Sequence, residues 1–409
     1  MKRVFYILAT MLLSAACVHP TVEVIDFDTF HPTTVKSADV FLEDGSLNPA
    51  VQLMEDPNLP EEEADTKVAR VDVSTIARNM LEVLSCNNLL HISGTFTGHD
   101  VDGVTPLKQS GKLVVPAQGP VKNLILVSHY TIGANFEAPS ETFPMEAILA
   151  AKGYAVAIAD YIGYGVTADR IHPYMHTRST AQSVVDMGLA VKPYLEAIGR
   201  KPESDQVILM GYSQGGATTL GVMRLIQREY YGEFPIKKVY CGGGPYDLAA
   251  TYDTAIEMGK TGIPCAIPMI VQGVNAGQGL GLDLKDFFTP KLLSCYNELI
   301  NSKQYTVKGI NVALGTNNLH DLMTEGARDK HNPKTAKLYK ALMINSVLDF
   351  WPSAPIFMFH SLDDQTVPFE NALKAEQAFK GIDISFDFGH YGNHGNGAIM
   401  FITNVAKIL

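Results

Sequence analysis

Ser213, set in Gly211-Tyr212-Ser213-Gln214-Gly215-Gly216, is the residue of this chain best placed to act as a nucleophile. The apolar run Gln206-Val207-Ile208-Leu209-Met210 precedes it, and Ala217–Gln227 follows with the pattern of a helix. A strand, a Gly-x-Ser-x-Gly turn and a helix in that order hold a serine on a tight, strained bend, with its hydroxyl projecting from the sheet edge. Side chains at Gly211 and Gly215 would collide with the neighbouring strand and helix. The amides at the start of that helix face the serine and favour negative charge developing there.

A serine hydroxyl needs a base to take its proton and a carboxylate to hold the base in one tautomer. In the hydrolases built on such a turn these partners follow in the order acid, then histidine. The strand Pro355–Phe359 leads into His360-Ser361-Leu362-Asp363-Asp364-Gln365-Thr366-Val367-Pro368. This resembles the His-Gly-x-x-Asp-x-x-Val-Pro segment of α/β-hydrolases and puts the acid at Asp364, with Asp363 as the alternative. Ser361 stands where that segment has glycine. Asp247, after an earlier strand, is a more remote choice. The base falls in Phe388-Gly389-His390-Tyr391-Gly392-Asn393-His394-Gly395. His394-Gly395 better resembles the His-Gly that opens the last helix, so His394 is the expected base and His390 the alternative base. Two histidines four apart also suit a metal, but the glycines disfavour a helix there and no glutamate has the zinc-protease spacing. No metal site is expected.

The oxyanion of an acyl intermediate needs two backbone amides. Gln214, after the nucleophile, supplies one. The loop His129-Tyr130-Thr131-Ile132-Gly133 supplies the other, from Tyr130 or Thr131. His129 reads as a structural histidine bonded to backbone.

These residues require a sheet to carry them. Strands are expected over His91–Thr97, Gly111–Val115, Asn123–Ser128, Tyr154–Ala159, Gln206–Met210, Lys237–Cys241, Pro355–Phe359 and Ile382–Phe388. Helices are expected over Met145–Lys152, Thr180–Tyr194 with a Ser179/Gln182 capping box, Phe369–Phe379 and Gly397–Leu409. Nearly continuous apolar strands alternating with helices indicate an α/β fold, with a mostly parallel sheet covered on both faces. The alternation stops over roughly 250–350, a helix-rich stretch that reads as a cap or lid over the carboxyl ends of the strands.

Ala159-Asp160-Tyr161-Ile162-Gly163-Tyr164-Gly165 and His172-Pro173-Tyr174, followed by a helix containing Asp186, complete a pattern. Together with the serine turn and the Asp364 segment, they resemble the secretory lipase family of α/β-hydrolases. The resemblance covers roughly residues 90–250 and 350–409. It implies the α/β-hydrolase fold with a helical cap, and ester hydrolysis through an acyl-serine, as a lipase or carboxylesterase without metal or organic cofactor. Three rivals share parts of the pattern: a serine peptidase of prolyl-oligopeptidase type, an acyltransferase, and a surface-anchored binding protein without catalysis. The chain has no repeats for the propeller such a peptidase usually carries.

The 409 residues are 46% hydrophobic and 18% charged, with a net charge of −11. An acidic chain without a basic run is unsuited to nucleic acid. Lys2 and Arg3, the apolar stretch Val4–Leu13 and Ser14-Ala15-Ala16-Cys17 form a signal peptide. The end of it resembles a lipoprotein box, although Ser14 replaces the usual aliphatic residue. Cleavage would leave a lipidated Cys17 as a membrane anchor; simple secretion is the alternative. The expected organisation is 1–17 signal peptide, 18–85 tether and packing segment, 86–250 first part of the core, 251–349 helical cap, and 350–409 second part of the core. Cys86, Cys241, Cys265 and Cys295 then remain, of which Cys265 and Cys295 are the first pair to consider for a disulfide. Acyl length, natural substrate and oligomeric state are not legible.

Overall fold

A computed structural model describes residues 31–34, 89–142 and 144–409. The signal peptide, Cys17, Cys86 and a helix expected over Val73–Leu84 lie outside the described residues. The strands are β1 (His31–Thr34), β2 (Leu89–His99), β3 (Pro106–Pro116), β4 (Leu124–Ser128), β5 (Ala155–Ala159), β6 (Val207–Tyr212), β7 (Ile236–Gly242), β8 (Ile356–Ser361) and β9 (Ile384–Gly389). They form one sheet in the order β1-β2-β3-β5-β4-β6-β7-β8-β9. From β5 through β4, β6, β7 and β8 to β9 every pairing is parallel. The other end is antiparallel, with β1 on β2, β2 on β3 and β3 on β5. β1 falls in the stretch expected to be a tether.

Successive residues of a strand face opposite sides, and here both sides are buried. Leu124 and Leu126 of β4 enter the core under α1 (Thr177–Ala197) and α2 (Gln214–Glu229). Ile125 and Val127 enter a second core under residues 145–154 and the last helix. That is why these strands read as continuous apolar runs. Between β7 and β8 the chain makes α3 (Leu248–Met258), α4 (Ala266–Gln278), α5 (Pro290–Tyr296), α6 (Val307–Leu314) and α7 (Ala336–Asn345). Helix α8 (Glu370–Ala378) follows β8, and α9 (His394–Ile408) follows β9. This is the α/β-hydrolase architecture.

Several local expectations need correction. β2 and β3 are longer than their apolar centres. Buried Gln109, Ser110 and Lys112 interrupt the hydrophobic pattern, but bond to the His99 carbonyl, the Asp160 carboxylate and the Thr142 carbonyl. Met145–Lys152 winds as 3₁₀ turns; its first six residues are all buried, so packing rather than helix propensity sets the pitch. Helix α1 starts at Thr177, before Ser179. Its first amide is capped from a distance by Asn345 Oδ1 at 2.9 Å, while Gln182 bonds Asp186 and Tyr230. Cys265 and Cys295 are free thiols. Cys265 is buried at the start of α4, and the Cys295 thiol turns to carbonyls of its own helix.

Burial also sets the acid limit of the fold. It lowers the ring pKa of His91 and His172 to about 3 and of His129 and His176 to about 4, and lowers that of His360 as well. Below pH 6.5 the unfolded chain takes up these protons and the folded one does not, so each ring withdraws about 1.4 kcal/mol per pH unit down to its folded value. Burial raises the carboxyls of Glu146 and Asp160, and the Asp186 hydrogen bond raises His99; all three act in the opposite sense. The five lowered rings outweigh these three groups. The denaturant midpoint is therefore expected to drop between pH 7 and pH 5, and an unchanged or higher midpoint at pH 5 contradicts this balance.

Candidate active site

Ser213 sits between β6 and α2 with φ +60° and ψ −126°, a conformation that costs a side-chain-bearing residue of order 1–3 kcal/mol. Its amide donates to the Gly242 carbonyl on β7, and its own carbonyl accepts from Gly216, so both sides of the bend are tied down. The glycines around it are required by contact. A Cβ at Gly215 would lie 1.9 Å from the Ser128 carbonyl oxygen at the end of β4, and one at Gly211 would lie 2.3 Å from the Gly215 oxygen. The bend thus presses α2 onto the sheet and turns the serine hydroxyl out at the carboxyl edge.

His394 is the first residue of α9, three positions earlier than the expected helix start, because the Asn393 side chain caps the helix through the Asn396 amide at 2.9 Å. Its Nδ1 lies 2.6 Å from Asp364 Oδ2 and its Nε2 lies 2.8 Å from Ser213 Oγ. The carboxylate requires a donor, so Nδ1 carries the proton and Nε2 accepts the serine hydroxyl. Asp364 Oδ1 accepts the amides of Thr366 and Val367 at 2.8 and 2.9 Å. Burial pushes the Asp364 carboxyl up, but the His394 charge and hydrogen bond, His360 and the Val367 amide outweigh it and hold the group below its ordinary value.

The alternatives fall elsewhere. His390 Nδ1 pairs with Asp363 at 2.8 Å on the surface, the side chains being 66% and 42% exposed. The neighbouring acids therefore take one histidine each. Asp247 caps α3 and pairs with Lys374 at 2.7 Å. Two supporting residues were not given a role from the sequence. His360 is fully buried, 3.7 Å from Asp364, and its Nε2–H donates to the Val367 carbonyl at 3.0 Å. Ser361, in place of the usual glycine, donates to the Gly392 carbonyl at 2.5 Å and accepts the Tyr391 amide at 3.2 Å. It thereby ties the Asp364 loop to the His394 loop. Its departure from the α/β-hydrolase segment was the available signal.

A cavity of about 690 Å³ opens on Ser213 and Asp364. Gln214 and Thr131 line it from the core, and Leu248, Tyr252, Ile267 and Ile270 line it from the segment between β7 and β8. Gln214 is the first residue of α2, where an amide has no acceptor within the helix. The Tyr130 ring packs against Ile132, Ala138 and Tyr164, and Tyr130 is absent from the cavity wall. His129 lies between two backbone carbonyls, those of Tyr130 at 2.6 Å and Asp160 at 3.2 Å, and stacks on Tyr161. Asp186 lies outside the cavity and holds His99 in a buried pair at 2.9 Å. Among the described residues no group of three or more His, Cys, Asp or Glu side chains is disposed to hold a metal.

Comparisons with known proteins agree with this fold. The chain is 25% identical to a secreted triacylglycerol lipase of Malassezia furfur over 206 residues, which is 46% of this chain and 40% of that lipase's length. Its fold is similar to that of the rice cell wall degrading esterase LipA from Xanthomonas oryzae, with a TM-score of 0.69 and 22% identity, over 80% of this chain and 92% of the esterase. It is also similar to Candida antarctica lipase A, with a TM-score of 0.56 and 17% identity, over 76% and 75% of the two chains. A family model for secretory lipases matches residues 135–397. That stretch spans the Ser213 turn, the whole helical segment between β7 and β8, and the loops of Asp364 and His394, and the chain belongs to the secretory lipase family.

Proposed function

We propose that this protein is a serine hydrolase of carboxylic esters, acting through an acyl-serine with Ser213 as nucleophile, His394 as base and Asp364 as acid. The observation that carries the reading is the unbroken chain from Ser213 Oγ to His394 Nε2, 2.8 Å, and from His394 Nδ1 to Asp364 Oδ2, 2.6 Å. His394 takes the serine proton as Oγ attacks the ester carbonyl, and Asp364 stabilises the imidazolium. The amides of Gln214 and of the Tyr130-Thr131 pair hold the oxyanion, with Thr131 favoured because it lines the cavity. His394 then protonates the departing alcohol. It next takes a proton from water, whose oxygen attacks the acyl carbon, and returns that proton to Ser213 Oγ as the acyl–serine bond breaks and the acid leaves.

The helical segment serves as a cap that shapes the acyl pocket, since its apolar residues line the cavity onto which Ser213 opens. Export fits the basic and apolar amino terminus and the family's secretory members, and Cys17 is the proposed site of lipidation. The test is hydrolysis of p-nitrophenyl esters from acetate to palmitate, together with labelling by a fluorophosphonate. Turnover of some member of the series with labelling at Ser213 is expected, and the preferred chain length separates esterase from lipase. Absence of both turnover and labelling would return the weight to a non-catalytic binding protein.

A further inference from the structure

Two segments singled out in the sequence, Asp160–Gly165 and His172-Pro173-Tyr174, take no part in the proposed chemistry, yet they close around its site. The His172 Nδ1–H donates to the Ile162 carbonyl at 2.7 Å. That fixes the tautomer and leaves the Nε2 lone pair facing the Gln214 side-chain amide, 3.3 Å away. Gln214 is buried, and its backbone opens α2 directly beside Ser213. Two residues on, the Tyr174 hydroxyl lies 2.8 Å from the Thr131 hydroxyl. One three-residue segment therefore grips both loops from which the oxyanion amides come.

The grip is itself held. Tyr161 stacks on the His172 ring, with planes 7° apart, and Tyr164 and Tyr174 flank it. A Cβ at Gly163, which sits at φ +97°, would lie 2.5 Å from His172 Cα, so the glycine allows the backbones to meet. A Cβ at Gly273 of α4 would lie 2.2 Å from the Tyr174 amide nitrogen. The helical segment thus seats Tyr174 from the other side.

We propose that His172 and Tyr174 are positioning residues for the oxyanion hole, His172 by fixing Gln214 and Tyr174 by fixing Thr131. This rests on the serine-hydrolase reading above. Oxyanion donors act only when held within a fraction of an ångström of the developing charge, so releasing either anchor lowers turnover rather than substrate affinity.

The variants are His172→Phe, which keeps a ring but no acceptor, and Tyr174→Phe and Thr131→Val, which each remove one end of the hydroxyl pair. The readouts are kcat and KM on a soluble p-nitrophenyl ester, inhibition by a trifluoromethyl ketone that forms a tetrahedral adduct on serine, and the melting temperature. Each folded variant is expected to lose about tenfold or more in kcat with KM within about twofold. Its affinity for the ketone should weaken by the same factor as kcat/KM. The Tyr174→Phe/Thr131→Val double variant should be no worse than either single one, because both break one contact. His172→Gln, whose amide oxygen can accept from Gln214, should recover part of the loss. Wild-type kcat and ketone affinity in folded variants, or losses confined to KM, overturn the proposal. If His172→Phe does not fold, the Tyr174 and Thr131 variants decide. A Ser213→Ala protein that still turns over the ester removes the serine reading and this proposal together. An inactive Ser213→Ala beside fully active His172→Phe and Tyr174→Phe removes the positioning roles alone.

Discussion

Replacing Ser213 with alanine is expected to lower kcat for ester hydrolysis by about 10⁴- to 10⁶-fold and to abolish fluorophosphonate labelling. The loss is large because Ser213 Oγ makes the 2.8 Å hydrogen bond to His394 Nε2 through which the proposed base activates the nucleophile. KM should change little, since one hydroxyl is removed and the rest of the cavity lining is unchanged. Ser213→Gly carries the same loss with a further signature. The serine holds φ +60° and ψ −126°, a strain that glycine does not feel. The glycine variant should therefore melt at a higher temperature, by the equivalent of about 1 kcal/mol or more. Substantial hydrolysis by either variant would mean that another group attacks the ester.

The second large effect separates neighbours that sequence alone leaves as alternatives. Asp364→Asn should cost about 10⁴ in kcat, because an amide nitrogen beside His394 Nδ1 reverses the tautomer. Asp363→Asn breaks an exposed pair with His390, and its amide oxygen can still accept the Gly392 amide that the carboxylate holds at 3.3 Å; exposed pairs contribute at most about 1 kcal/mol, so activity should stay within a few-fold. His394→Ala and His390→Ala should divide in the same way. The four variants need one assay under one condition. Equal losses at 363 and 364, or a dead His390→Ala, would show that the surface pair does more than tie two loops.

The chemistry was more legible than the frame around it, for a physical reason. Ser213 lies in a short segment whose glycines are fixed by contact, since a Cβ at Gly211 or Gly215 would meet a carbonyl, and Asp364 and His394 lie in short segments that resemble a family pattern. Such constraints survive in a single sequence. Strand ends did not, because β3 buries Gln109, Ser110 and Lys112 through partners 10, 50 and 30 residues away in the chain. The start of α1 was misplaced because its cap, Asn345, lies 168 residues away. The choice between His390 and His394 needed three dimensions, since both follow β9 and each reaches an aspartate. The contacts of His172 and Tyr174 were hidden in the same way: their motif was visible, but what they touch was not.

Asn345 also sets a limit on exchanging parts between relatives. The last residue of α7 accepts the Thr177 amide through Oδ1 at 2.9 Å and the Thr177 hydroxyl through its own carbonyl at 2.6 Å. A chimera that takes the helices between β7 and β8 from another member, and ends the graft without an equivalent side chain, leaves the first amide of α1 buried and unmet. That omission costs about 1–3 kcal/mol before any new pocket is tried. A chimera that fails to fold for this reason says nothing about substrate fit. The border for such grafts lies beyond Asn345, and the donor must bring its own cap for the core helix.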